Sequence, residues 1–179
     1  RFIADILKDW MHKGGAYEEA AVLYRSNAQS RAIEEALLRV SIPYRIYGGL
    51  RFYERLEIKN AIAYLKVVFN NNDNPSFERS ISNPTRGVGE KTLAKIRNTA
   101  KQFNLSYIKA SAKLVDEGTI GGRGGAGLRD YLEFIAGCKS FIEENLLSEL
   151  MELIIKETGL YAYHAKEPGE KGKTRTENL

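Results

Sequence analysis

From Leu56 to Glu157 apolar residues recur every three or four positions, and this spacing limits the fold more than any other feature. Leu56, Ile58, Ile62, Leu65 and Phe69 form one stripe, which predicts a helix over 54–69. Similar patterns predict helices over 76–82, 90–103, 106–115, 128–144 and 146–157, with a break at 70–75. The glycine-rich residues 118–127 read as a flexible stretch. Everything after Gly48 is therefore expected to be almost wholly helical.

The first 47 residues read differently. Phe2, Ile6, Leu7 and Trp10 keep helical spacing until Gly14-Gly15 stops it. Residues 20–24 (AAVLY) resemble a short buried strand, and Ser26 with Gln29 makes a capping box opening a helix that runs to about Val40. Residues 42–47 (IPYRIY) predict a second strand, so helix, strand, helix, strand suggests part of an α/β layer too short to be complete. The expected fold class is mainly α with a small α/β part. Its boundary falls near Gly48-Gly49, dividing residues 1–47 from a helical domain, 48–179.

Composition narrows the function. The 179 residues are 43% hydrophobic and 28% charged, and no apolar run approaches the roughly 20 residues of a membrane helix. One cysteine, Cys138, cannot form an internal disulfide, so a reducing cytoplasmic setting is expected. Two histidines, His12 and His164, offer no zinc-like cluster. The net charge of +4 is unevenly spread. Residues 1–47 carry 7 basic and 6 acidic groups, residues 48–114 carry 12 and 5, and residues 115–179 carry 8 and 12. A basic middle third suits a phosphate-bearing polyanion, although a solvated helix face has the same composition.

The most specific local motif is Thr85-Arg86-Gly87-Val88-Gly89-Glu90-Lys91-Thr92-Leu93, preceded by Pro84 and lying between two helical patterns. It has the form of a helix-hairpin-helix. Two glycines permit a tight turn, Val88 packs between the helices, and the second helix begins with free N–H groups able to bind a DNA phosphate. Lys91 and Thr92 add donors in its first turn. A plain helical hairpin is the alternative. Lys59 and Lys66, seven apart, share a helix face that suits a duplex backbone. Arg25 and Asn27 follow the first expected strand at a helix N-terminus, where α/β proteins hold phosphate or sugar; a cap at Ser26 and a surface ion pair at Arg25 would look the same.

Two glycine-bearing segments do not make nucleotide loops. Residues 121–127 lack a preceding strand and a Gly-Lys-Ser/Thr ending, and residues 169–174 end in Gly-Lys-Thr but have Glu167 where a phosphate loop needs its first glycine. No self-contained active site is visible, and Cys138 reads as a buried structural thiol. The aromatic-basic segments Tyr44-Arg45-Ile46-Tyr47 and Arg51-Phe52-Tyr53-Glu54-Arg55 suit base stacking or, more commonly, core packing.

The blocks LYRSNAQSRAIEEAL, IPYRIYGGLRFYERLEIKNAIAYL, NPTRGVGEKTL and GEKGKTRTENL stand in the order and spacing of a known group. The chain resembles the UvrD/PcrA/Rep superfamily 1 DNA helicases over essentially its whole length. The resemblance implies that residues 1–47 are part of RecA-like subdomain 2A and residues 48–179 an incomplete helical subdomain 2B. It implies single-strand contacts at Arg25 and Asn27 and duplex contacts at Lys59, Lys66, Gly87, Val88, Gly89 and Thr92, to which the place of Lys91 in the first turn adds that residue. It also implies a longer bacterial, cytoplasmic parent that couples ATP and Mg²⁺ to 3' to 5' translocation, acts in repair or replication, and holds its ATP-binding motifs outside this segment. The segment alone is then expected to be inactive and to need no cofactor. Expected partners are DNA without sequence preference, the remaining subdomains 1A, 1B and 2A, and repair proteins. A protein-interaction or autoinhibitory module, favoured by the acidic last third, and a stand-alone helix-hairpin-helix repair protein are the competing readings.

Overall fold

A computed structural model describes residues 2–25, 27–47 and 52–179, with the backbone alone at 27 and 28. Among the described residues the protein is mainly α, with no strand. The helices are α1 (Phe2–His12), α2 (Asn27–Arg39), α3 (Leu56–Phe69), α4 (Asn74–Ser82), α5 (Glu90–Phe103), α6 (Tyr107–Asp116), α7 (Gly122–Glu144), α8 (Leu147–Glu157), α9 (Leu160–Ala165) and α10 (Glu170–Asn178). Two compact units form, residues 1–58 with Asn178 and residues 59–177 with Leu179. The boundary expected at Gly48-Gly49 and the Ser26 cap lie outside the described residues.

In the first unit α1 and α2 pack through Ala4, Leu37 and Ile42, with Leu7, Tyr17 and Ile33 against them. The two expected strands do not form: residues 20–24 and 42–47 belong to no ladder among the described residues. A strand exists only through its neighbours' hydrogen bonds, and these two segments make none with each other. Instead they line an open cavity of about 780 Å³, with Leu23 95% and Tyr47 87% exposed. No α/β layer is therefore present among the described residues.

Beside that cavity lies a buried polar network. The Glu34 carboxylate accepts from Ser30 Oγ at 2.9 Å, Tyr44 Oη at 3.1 Å and the Phe52 backbone N–H at 3.1 Å. Arg55 donates to Ser30 Oγ at 2.7 Å and Asn178 Oδ1 at 2.6 Å, and Asn178 Nδ2 donates to Glu57 Oε1 at 2.6 Å. Glu34, Arg55, Glu57 and Asn178 are all buried, and a buried charge is tolerable only when so paired. Phe52 lies under the Arg31 and Arg55 guanidiniums at 5.0 and 5.3 Å.

The second unit holds the larger core. Tyr64, Val67 and Val68 of α3, Phe77 and Ile81 of α4, Ile96 of α5, Leu128 and Tyr131 of α7, and Leu150 and Ile154 of α8 belong to one buried cluster. Sequence spacing marks these helices because each buries a stripe and exposes the rest. Local chemistry sets their ends. Asp73 caps α4 by accepting from the Ser76 N–H at 2.9 Å, Ser106 caps α6, and Asn104 closes α5 in a left-handed conformation with φ 51°.

The expected flexible stretch at 118–127 is corrected: α7 begins at Gly122 and takes in four of its glycines. Composition suggested looseness, but the glycines are packing positions. A Cβ on Gly127 would sit 1.9 Å from the Arg86 carbonyl oxygen, and one on Gly124 3.1 Å from that of Gly87. Cys138 is buried in α7, and burial pushes its thiol up to about 11. The Gly-Lys-Thr segment near the C-terminus falls in α10. There Glu167 accepts from Arg175, lies 3.6 Å from Lys171 and bonds to Nδ1 of the fully buried His164 at 2.9 Å. The His164 bond, followed by Arg175, holds the Glu167 carboxyl below its ordinary range.

Candidate nucleic-acid interface

The segment between α4 and α5 is built from residues that stop one helix and start another. After Ser82, Asn83 and the cis-linked Pro84 interrupt the helix, and the Asn83 carbonyl accepts from Tyr64 Oη at 3.0 Å. Gly87 takes φ +74°, a conformation that L side chains rarely adopt. Val88 turns inward and is buried, while Gly89 lies exposed in an extended conformation as the residue before α5.

The first bonds of α5 run from the Thr92 and Leu93 N–H groups to the Gly89 carbonyl, both at 3.0 Å. The N–H groups of Glu90 and Lys91 precede them and have no acceptor within the helix. Lys91 is exposed beside them, and Thr92 is half-buried. The result is a helix N-terminus with a positive dipole end, free donors and a lysine, chemistry that suits an anionic oxygen.

Glu90, in that first turn, carries the wrong charge for such a ligand. Its carboxylate is bound by Arg97 Nη1 at 2.6 Å, and Arg97 also bonds both Glu78 oxygens at 2.6 and 2.8 Å. The hydrogen bond from Arg97 holds the Glu78 carboxyl below its ordinary range. One arginine thus ties α4 to α5 and offsets the acidic group nearest the N–H donors.

Arg86 belongs to the same turn, and sequence reading did not single it out. Its Nη1 donates to the Pro84 carbonyl at 2.9 Å and its Nη2 to the Thr158 carbonyl at 3.4 Å. The guanidinium carbon lies 5.5 Å from the Tyr64 ring centre and 5.9 Å from that of Tyr131. Burial pushes both phenols well above their ordinary range, so these rings stay neutral. The signal that was present in the sequence is the pair Gly124 and Gly127, three apart on α7, which marks a helix face approached by another backbone.

Lys59 and Lys66 are exposed on α3, opposite the buried face of Asn60, Tyr64 and Val67. Arg79 of α4 bonds Asn60 Oδ1 at 3.3 Å, linking α3 to the helix before the turn. The second unit therefore carries all seven of Lys59, Lys66, Gly87, Val88, Gly89, Lys91 and Thr92. Arg25 and Asn27 belong to the first unit. Arg25 is exposed and its N–H donates to Gln29 Oε1 at 3.0 Å; the Asn27 side chain lies outside the described residues. Among the described residues no cluster of His, Cys, Asp and Glu forms a candidate metal site, and no helix is long and apolar enough to cross a membrane.

A helical unit that presents a glycine-bounded helix N-terminus beside an exposed lysine has the kind of surface nucleic-acid enzymes use on phosphate backbones. Residues 1–117 match the UvrD-like helicase C-terminal domain, and the chain belongs to that family. It is 45% identical to DNA helicase II of Escherichia coli (strain K12) over 179 residues, all of this chain and 25% of that protein. It is 36% identical over 164 residues to the ATP-dependent DNA helicase PcrA of Leuconostoc citreum, covering 92% of this chain and 22% of the relative. With PcrA of Staphylococcus aureus (strain Mu50) identity is 33% over 180 residues, covering 99% and 24%. The chain spans about a quarter of the length of the curated relatives it matches.

Proposed function

We propose that this chain is the DNA-engaging and regulatory part of an ATP-dependent 3' to 5' DNA helicase of bacterial repair or replication. Residues 59–177 grip duplex backbone through the helix-hairpin-helix turn Gly87–Thr92 with Lys59 and Lys66, while Arg25 and Asn27 meet the single strand. The observation that carries this reading is the N-terminus of α5, where the Glu90 and Lys91 N–H groups have no acceptor within the helix and the exposed Lys91 stands behind two glycines. Residues 1–47 then serve as part of RecA-like subdomain 2A, and the segments 20–24 and 42–47 join a sheet of the whole protein. ATP and Mg²⁺ act in that cytoplasmic parent, which also supplies subdomains 1A and 1B, and this chain alone hydrolyses nothing.

The test is fluorescence anisotropy of the chain with a duplex bearing a 3' single-stranded tail, across salt concentration, beside a Gly89→Ala/Thr92→Ala variant. The expected outcome is binding that weakens with salt and is reduced by the double substitution. Equal binding by the variant would move the contact elsewhere.

One observation favours a second reading as a protein-interaction module. Leu146 and Leu147, at the start of α8, are 68% and 54% exposed within the acidic third of the chain. Association with a repair protein that survives Lys59→Glu and Lys91→Glu but is lost with Leu146→Asp would support it.

A further inference from the structure

The duplex-binding reading leaves open what holds the turn in its binding shape. The turn has no strand or disulfide to brace it, and Gly87 and Gly89 make it intrinsically loose. Its backbone instead rests directly on α7, with the Arg86 carbonyl oxygen 1.9 Å from where a Cβ of Gly127 would be and the Gly87 carbonyl oxygen 3.1 Å from that of Gly124. A Cβ on Gly87 would itself meet Arg123 Cγ at 2.8 Å.

Resting on that reading, we infer that Arg86 is a positioning residue for DNA binding: its guanidinium fastens the turn to the core so that the α5 N–H groups face the phosphate, and it does not itself touch DNA. Its fork spans two carbonyls on different parts of the fold, Pro84 of the turn and Thr158 after α8. The neutral rings of Tyr64 and Tyr131 supply the face beneath it. Both contacts use Arg geometry, since a single ammonium cannot span two carbonyls and stack on rings at once.

Salt dependence separates a positioning residue from a phosphate contact. Losing one phosphate contact lowers the slope of log K against log salt by about 0.9, whereas misplacing the turn lowers affinity with the charges still in place. The 179-residue chain, its Arg86→Met, Arg86→Lys, Gly127→Ala and Lys91→Met variants are titrated with the tailed duplex at several salt concentrations, well below each melting temperature. The Gly87 and Gly89 amide resonances are recorded without DNA. Lys91→Met is expected to reduce the slope. Arg86→Met and Gly127→Ala are expected to weaken binding about tenfold at unchanged slope and to displace both amide resonances, with Arg86→Lys intermediate.

A slope reduced by Arg86→Met as by Lys91→Met would make Arg86 a direct phosphate contact and overturn the assignment. So would unchanged affinity and unchanged amide resonances in the Arg86 variants. Wild-type protein that binds no duplex sinks the duplex reading itself, while the resonances of the free protein still report whether Arg86 sets the turn. If Arg86→Met or Gly127→Ala fails to fold, Arg86→Lys carries the same comparison.

Discussion

Gly87 and Gly89 are two residues apart and have opposite requirements. Gly87, at φ +74° and 2.8 Å from Arg123 Cγ in the Cβ direction, is needed by the fold. Gly89 has φ -94° and open space where a Cβ would point, so the backbone does not require glycine there. Its bareness leaves room for a ligand. Gly87→Ala is accordingly expected to cost about 1–3 kcal/mol of stability, read as a lower melting temperature. Gly89→Ala is expected to leave melting unchanged and to weaken tailed-duplex binding about tenfold, the equivalent of roughly 1.4 kcal/mol. A melting loss at Gly89 equal to that at Gly87 would show that both glycines serve the fold. The sequence motif names both positions but cannot separate them, because the difference lies in φ and in what faces each Cα.

At the scale of elements, α4 and α5 are held together by Arg97 reaching back to Glu78 and Glu90. The pairing lowers the Glu78 pKa below its ordinary 4.5, so its contribution to stability is complete above that value and is lost as pH falls through the lower folded value. Acid melting should therefore show a steeper loss of stability below pH 4.5 in wild type than in Arg97→Met; parallel curves would remove Glu78 as the cause. Much at this scale was legible in the sequence. Stripes such as Leu56 to Phe69 act within a few residues of chain, and the predicted helices over 90–103 and 106–115 lie where α5 and α6 do. What failed depended on distant chain. AAVLY reads as a strand only if other strands flank it, and the run from Gly118 to Gly127 reads as loose until the Arg86 carbonyl is placed against it. The α9 helix was missed because six residues give too short a period to recognise.

For the molecule as a whole, the two units differ in what holds them. The second buries a continuous apolar cluster across α3 to α9, whereas the first buries Ala4, Leu37 and Ile42 and relies on the polar network around Glu34 and Arg55. Amide exchange should be slowest in α5, α7 and α8 and fastest in α1 and α2; uniform protection throughout would contradict this division. Leu128→Ala, at a fully buried position, should cost about 2–5 kcal/mol in denaturant unfolding. Asn178 adds a consequence that concerns time. It completes the clasp of Arg55 and Glu57, yet it is synthesised 120 residues after Ile58, a delay of about 6–24 s at ordinary translation rates. Residues 1–58 are therefore expected to close only after nearly all of the second unit has left the ribosome, a reversal of the usual order of N-terminal part first. Limited proteolysis of ribosome-bound chains of increasing length should find residues 1–58 cleavable until Asn178 has emerged, and early protection there would show that the clasp is not needed.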